Sequence, residues 1–256
     1  MATIASLSGV TVAFGGIVAM NDVSFDVPST GIMALIGPNG AGKTTAFNVL
    51  SGHIRPRSGT VEVFGTAASA LGPAGLAGRG LARSWQDGRA FLDMTVLENL
   101  VVAVRCPRAE SPFWRLARPR RAARLEAGLV RQADEVLETL GLSAFRDHRA
   151  GDIGYAEQRL VGIGRLLIRR PRLLLLDEPA AGLDGESIDR VVGIVRDIAA
   201  GGLPVVIVEH SLSVVRSLAD SCVFMSNGEV VARGTPEDLF RRDELIDMYF
   251  GKGWRA

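Results

Sequence analysis

The sequence predicts an α/β fold: a parallel sheet with helices on its faces, an antiparallel β layer ahead of it and an inserted helical subdomain. Three observations carry this. Short apolar runs at 32–36, 173–176 and 204–209 alternate with helical patterns at 42–50 and 186–199, the signature of strands buried on both faces and joined by helices. Residues 4–14 and 23–27 instead alternate apolar with polar at the two-residue strand period. From Thr95 to about residue 140 the apolar positions recur at helical intervals.

Taken in order, Val23, Phe25 and Val27 mark one face of the opening antiparallel layer. The strand at 32–36 runs into a glycine-rich turn and the helix at 42–50. Strands are expected again at 60–64 and 81–85, whereas 65–80 is a Gly/Ala-rich connection with little structural signal. Thr95 and Glu98 have the spacing of a capping box, followed by Val96, Leu97, Leu100, Val101 and Val104 on one helical face. A second helix spans 121–140, with Leu125, Leu129, Ala133, Val136, Leu137 and Leu140 on one side. Between them, 105–124 holds seven arginines, one glutamate and three prolines: a solvated loop, or a contact for anionic lipid head groups or a partner. The insertion is therefore placed at 87–160 and the core at 1–86 and 161–256.

Composition narrows the function. The 256 residues, 47% hydrophobic, suffice for one large core with a subdomain, and a net charge of +1 gives no global field for nucleic acid. Cys106 and Cys222 are too few and too far apart for a disulfide framework or a zinc cluster and point to two free thiols in a reducing cytosol. The N-terminus lacks an export signal, and no stretch reaches the roughly 18 uninterrupted apolar residues a membrane span needs. Neither export nor membrane spanning is expected.

The chemistry begins at Gly37-Pro38-Asn39-Gly40-Ala41-Gly42-Lys43-Thr44, which fits G-x-x-x-x-G-K-[ST] between a predicted strand and a predicted helix, with Thr45 following in the helix. Glycines let backbone N–H groups converge on phosphate oxygens, the helix N-terminus adds positive charge, Lys43 reaches the terminal phosphates and the Thr44 hydroxyl can ligate magnesium. This is the phosphate loop of a P-loop NTPase. Of 29 basic residues only Lys43 and Lys252 are lysines, so Lys43 stands in a chain that otherwise uses arginine. The run Leu173-Leu174-Leu175-Leu176 delivers Asp177, to hold magnesium through water, and Glu178, to polarise an attacking water. The N-K-x-D segment of a GTP switch is absent, since Lys252 lies in Gly251-Lys252-Gly253.

With these motifs placed, nearly the whole chain resembles an ATP-binding cassette (ABC) transporter ATPase. The resemblance implies that Phe14, in Ala13-Phe14-Gly15-Gly16, stacks on adenine and that Gln86 contacts the magnesium and senses a membrane partner. It further implies that Asp184 is the D-loop acid and that His210 is the switch histidine reaching the terminal phosphate. Ile153-Gly154-Tyr155-Ala156-Glu157 stands where L-S-G-G-Q is usual, and in the family this segment caps the triphosphate on another subunit's phosphate loop. Gly154 replaces the serine and Ala156 the second glycine. Losing the hydroxyl removes one hydrogen bond, worth about 1 to 3 kcal/mol to a charged acceptor.

Phe14-Gly15-Gly16, Ser84-Trp85-Gln86, the segment 94–99, the run 179–183, Glu209-His210, Tyr155 and Met248-Tyr249-Phe250-Gly251 are similar to the branched-chain amino-acid uptake ATPases. Related members serve urea, short amides and other small solutes. The implied protein binds ATP and Mg2+ and sits peripherally on the cytoplasmic face of the inner or plasma membrane. Its implied partners are a second ABC ATPase subunit, a sister chain or another copy, the transmembrane permease subunits and, indirectly, an extracytoplasmic solute-binding protein. The other reading, a soluble ABC-type ATPase acting on DNA or ribosomes, requires a long coiled coil or tandem cassettes, and the sequence shows no heptads and one cassette.

Overall fold

Alternating apolar residues at the start of the chain form a long antiparallel hairpin, β1 (Thr3–Phe14) and β2 (Ile17–Pro28), with Leu7, Val10, Val12, Met20, Val23 and Phe25 turned inward and buried. The computed structural model describes residues 2–85, 90–104 and 119–250. The fully buried β3 (Ile32–Ile36) leads through the glycine loop into α1 (Lys43–Leu50). Next come β4 (Ser58–Val63), β5 (Thr66–Ala67), α2 (Ala68–Gly78) and β6 (Leu81–Arg83). Expected to be a connection, 65–80 thus holds a strand and a helix. Gly72 is non-helical (φ 60°) and Pro73 follows it, and this break hid the helical period from the sequence.

Then follow α3 (Val96–Val102), α4 (Pro119–Thr139), α5 (Tyr155–Leu167), β7 (Leu173–Asp177), α6 (Gly185–Ala200), β8 (Val205–Val208) and α7 (Leu212–Leu218). The chain closes with β9 (Ser221–Ser226), β10 (Glu229–Gly234), α8 (Pro236–Leu239) and α9 (Asp243–Phe250). The first sheet has the order β2-β1-β4-β5 and the second β10-β9-β3-β8-β7-β6. In the second, β9, β3, β8, β7 and β6 pair parallel in sequence, while β10 adds an antiparallel edge. Asn227 and Gly228, at φ 51° and 78°, make the two-residue turn into that edge.

Two compact units emerge: Met1–Trp85 with Arg172–Gly182 and Ile188–Ala256, and Gln86–Pro171 with Leu183–Ser187. In the first, Met33, Leu35, Leu173, Leu175, Val206, Val208, Val223 and Met225 on one face of the central sheet pack with Ala46, Phe47 and Leu50 of α1 and the inward face of the hairpin sheet. Because β3, β7 and β8 are buried on both faces, every residue of their apolar runs contributes to the core.

The second unit is helical. Both bonds of the capping box form: Thr95 Oγ1 accepts from Glu98 N at 3.1 Å and Glu98 Oε2 from Thr95 N at 2.8 Å. Helices α3, α4 and α5 bury Leu100, Leu137, Leu140, Leu160 and Val161 together, and Gly164 is the close approach, since a Cβ there would lie 2.8 Å from Leu140 Cδ1. The expected return to the core at 161 falls inside α5, which belongs wholly to this unit because its apolar face packs on α3 and α4. Residues 105–118 of the basic segment, with Cys106, lie outside the described residues, as does Gln86. Among the described residues no helix is long and apolar enough to cross a membrane.

Cys222, the second residue of β9, is 1% exposed, and burial pushes its thiol up to about 12. In a Cys106→Ser variant at pH 8, Cys222 is therefore expected to resist maleimide while the protein is native and to react when it is unfolded. Stoichiometric native labelling would contradict the buried assignment.

Candidate functional site at the carboxyl edge of the central sheet

The parallel strands β3, β7 and β8 end side by side, so the residues just beyond each are gathered at one edge. From β3 comes the loop 37–42. Gly37 has φ 144°, and a Cβ there would lie 2.0 Å from the backbone oxygen of Met225; Gly42, the N-cap of α1, has φ 96° and would meet Ala19 O at 2.6 Å. Only glycine allows this path, and it lifts Asn39 and Gly40 into solvent above the α1 N-terminus. Lys43 is buried, its Nζ donating to Gly37 O at 2.7 Å and Pro38 O at 2.8 Å. Burial pulls its pKa down, while Glu178 and Asp177 oppose the fall. Thr44 is exposed and Thr45 half-buried in the first turn of α1.

From β7 comes Asp177, 5% exposed, its N–H donating to Ser84 Oγ at 2.8 Å. Burial raises its pKa, opposed first by the Arg83 guanidinium. Its Oδ1 is buried without a hydrogen-bond partner, an acceptor that the protein itself leaves unsatisfied. Glu178 follows with φ 48°, a left-handed conformation costly for a side chain of this size, and its N–H donates to Val208 O at 2.9 Å. From beyond β8 comes His210, whose Nε2 is 2.9 Å from Glu178 Oε1. Positive charge from Lys43, a buried carboxylate and a hydrogen-bonded Glu–His pair thus share one edge, the chemistry that holding an anion and orienting a water beside it would require.

The β1–β2 hairpin meets the same region through β2. Gly228 N donates to Ala41 O and Gly228 O accepts from Asn21 N, tying β2 and the β9–β10 turn to the phosphate loop. Phe14, at the end of β1 on that hairpin, is 52% exposed. The remaining candidates lie in the helical unit. Gly154 is the N-cap of α5, without a side-chain cap, and Tyr155, Ala156 and Glu157 form its first turn. Asp184 accepts from Ser187 N at 2.9 Å, and this bond with the Ser187 side chain holds its carboxyl below the usual range.

Sequence reasoning missed three contributors. Arg83, buried at the end of β6, donates to Asn48 Oδ1 and Ser51 Oγ, both at 2.7 Å, and stacks 4.4 Å from the Trp85 ring. Glu209 is buried beside His210, and Tyr249 donates to His210 O. A charged residue ending an apolar strand signalled Glu209; for Arg83 and Tyr249 no local pattern exists.

Residues 20–181 match the ABC transporter family model. The chain belongs to the ABC transporter family. It is accordingly an ABC ATPase, the ATP-hydrolysing subunit type of a membrane transporter. It is 34% identical over 250 residues to the high-affinity branched-chain amino acid transport ATP-binding protein BraF of Pseudomonas aeruginosa, covering 97% of this chain and 98% of that one. To LivG of Escherichia coli, which carries the same description, it is 32% identical over 250 residues, covering 96% and 97%. A solved ATP-binding cassette of an ABC transporter in its ADP conformation superposes with a TM-score of 0.83 at 29% identity, covering 98% of this chain and all of that one. A nucleotide-free cassette gives 0.82.

In this ABC ATPase the phosphate loop depends on glycine at position 37. Gly37→Ala should place a methyl against the Met225 carbonyl at both an unfavourable φ and an impossible distance, costing about 2 kcal/mol or more of stability and weakening ATP binding. Calorimetric melting with and without ATP checks both; a variant that melts and binds like the wild type would refute the glycine constraint.

Proposed function

We propose that this ABC ATPase powers an importer for branched-chain amino acids or a similarly small solute, acting at the cytoplasmic face of the membrane with a second ATPase subunit, permease subunits and an external solute-binding protein. The observation that carries the hydrolytic reading is the 2.9 Å contact between Glu178 and His210 beside the buried Lys43. Full-length similarity to BraF and LivG supports the solute class. A putative ribose/galactose/methyl galactoside import ATPase of Rhizobium meliloti is 36% identical over 90% of this chain, though over 43% of its own. ATPase sequence therefore tracks the solute loosely, and recognition of the solute rests with the partners.

The residues divide the work by chemistry. Phe14 supplies a ring face for adenine. Backbone N–H groups of 37–42, the α1 N-terminus and Lys43 hold the phosphates, with Thr45 completing the first helical turn. Glu178 accepts a proton from, or orients, the attacking water, and His210 fixes the carboxylate and faces the terminal phosphate. Among the described residues no three His, Cys, Asp or Glu side chains form a metal cage. Asp177, with its orphaned buried Oδ1, and the exposed Thr44 hydroxyl fit a magnesium ion that shares its ligands with water and substrate, and Gln86 joins them in this reading. When bound, Mg2+ supplies charge neutralisation between the outer phosphates. The first unit is the nucleotide core; in the second, Gly154 to Glu157 would cap the nucleotide of the partner ATPase, with Asp184 at the same subunit boundary.

Glu178→Gln should bind MgATP almost as the wild type does yet lower turnover about 100-fold or more in the assembled complex, accumulating closed dimers. Lys43→Ala should instead lose most of its ATP affinity. Nucleotide titration and phosphate release separate the two; full turnover by Glu178→Gln would exclude it as the base. Purified membrane complex whose hydrolysis responds to a sugar and its binding protein, and not to leucine, isoleucine or valine, would replace the solute assignment.

A further inference from the structure

Beyond the last paired residues of β7 and β8 the two chains part, and the Glu178–His210 contact must be held across that gap. On one side the Glu178 N–H still bonds Val208 O at 2.9 Å. On the other stands Glu209, 3% exposed, whose Oε1 accepts from Ala180 N at 3.1 Å and whose Oε2 accepts from His210 N at 3.2 Å. Its carboxylate therefore binds the loop that follows Glu178 and the loop that carries His210 in a single bridge. A third tie comes from the C-terminal helix α9: the Tyr249 hydroxyl donates to His210 O at 2.7 Å, and its ring lies 6.2 Å from Phe224 of β9. The backbone of His210 is thus fixed at both its N–H and its carbonyl by side chains.

We propose that Glu209 and Tyr249 are positioning residues for the Glu178–His210 pair, Glu209 setting the spacing of the two loops and Tyr249 clamping the histidine from the C-terminal helix. This rests on the catalytic reading of that pair. Burying a carboxylate is costly unless hydrogen bonds stabilise it: burial, and to a lesser degree Glu178, push the Glu209 pKa up, and the backbone N–H groups of Ala180, His210 and Ser211, from both loops, oppose that rise. Only a carboxylate offers an acceptor oxygen to each loop. Glutamine would turn its amide NH2 toward the N–H donors of one of them, so one loop would lose its partner. The tie is needed because Glu178 sits at φ 48° and would relax out of that conformation if the loop after it were released. Tyr249, whose phenol pKa burial raises, remains the protonated donor that the clamp requires.

The chain has three histidines, so imidazole resonances of the full-length protein can be assigned individually. Glu209→Gln is expected to lower turnover of the purified membrane complex about 10- to 100-fold, as misplacement of a catalytic pair does. Its KM and MgATP affinity should change less than about twofold, and the His210 ring signals should move while those of His53 and His148 stay. Tyr249→Phe, which keeps the ring against Phe224, should lower turnover about two- to tenfold and move the same resonances. If Glu209→Gln does not fold, Tyr249→Phe with its histidine spectrum decides the question alone. Glu178→Gln and His210→Ala serve as references: turnover retained in both would remove the catalytic pair and the proposal with it. Lost turnover in those two with wild-type turnover, or unmoved His210 signals, in the Glu209 and Tyr249 variants would overturn the positioning role while leaving the pair intact.

Discussion

Lys43, Asp177 and Glu209 are charged groups taken almost completely out of water at one edge of the central sheet, at 6%, 5% and 3% exposure. Each would be expensive alone, because an isolated buried charge has lost its hydration without gaining a partner. They are tolerable because the sheet is parallel there: β3, β7 and β8 all deliver their carboxyl ends to the same place, and backbone donors and acceptors converge on the side chains. Lys43 is held by two loop carbonyls, Glu209 by the amides of Ala180, His210 and Ser211, and Asp177 feels the Arg83 guanidinium. The core beneath, from Phe47 to Val208, is what keeps those strand ends from spreading. Remove the parallel register and the charges would have to be solvated separately.

The same edge explains which parts of the site could be inferred from sequence. The phosphate loop was legible because its glycines answer local needs: positive φ at Gly37 and Gly42 and backbone closer than any Cβ allows. The apolar runs of β3, β7 and β8 were legible because burial on both faces leaves no polar position in them. Where local rules conflict, the reading failed. The helix α2 is broken by Gly72 and Pro73, so its sequence resembles a loop, and β2 was seen only from residue 23 because its outer half is largely exposed. The Asn227-Gly228 pair between the apolar runs 222–225 and 230–232 was a usable signal for the β9–β10 hairpin. Tyr249 was not accessible at all, since its partner is 39 residues away and the contact is to backbone, which leaves no mark on the partner's identity.

The helical unit departs from a familiar segment at the start of α5. Gly154 is the N-cap of α5 at φ −63°, a conformation open to any residue, so glycine is not there for its backbone. A Cβ at that position would lie 2.4 Å from Glu157 Oε2. In this rotamer the Glu157 carboxylate occupies the space that a side chain at 154 would fill. Glu157 places negative charge in the first turn, where the helix dipole favours it. If this helix end meets the terminal phosphate of a partner's nucleotide, as proposed, the anion would compete with a resident carboxylate rather than with solvent. The carboxylate lies at the far end of a flexible side chain, so it can swing away at the cost of its rotamer and its interaction with the helix end. On that proposal, closure would rest on the backbone N–H groups of the helix end and on displacement of an acid, where a serine hydroxyl would have added a bond.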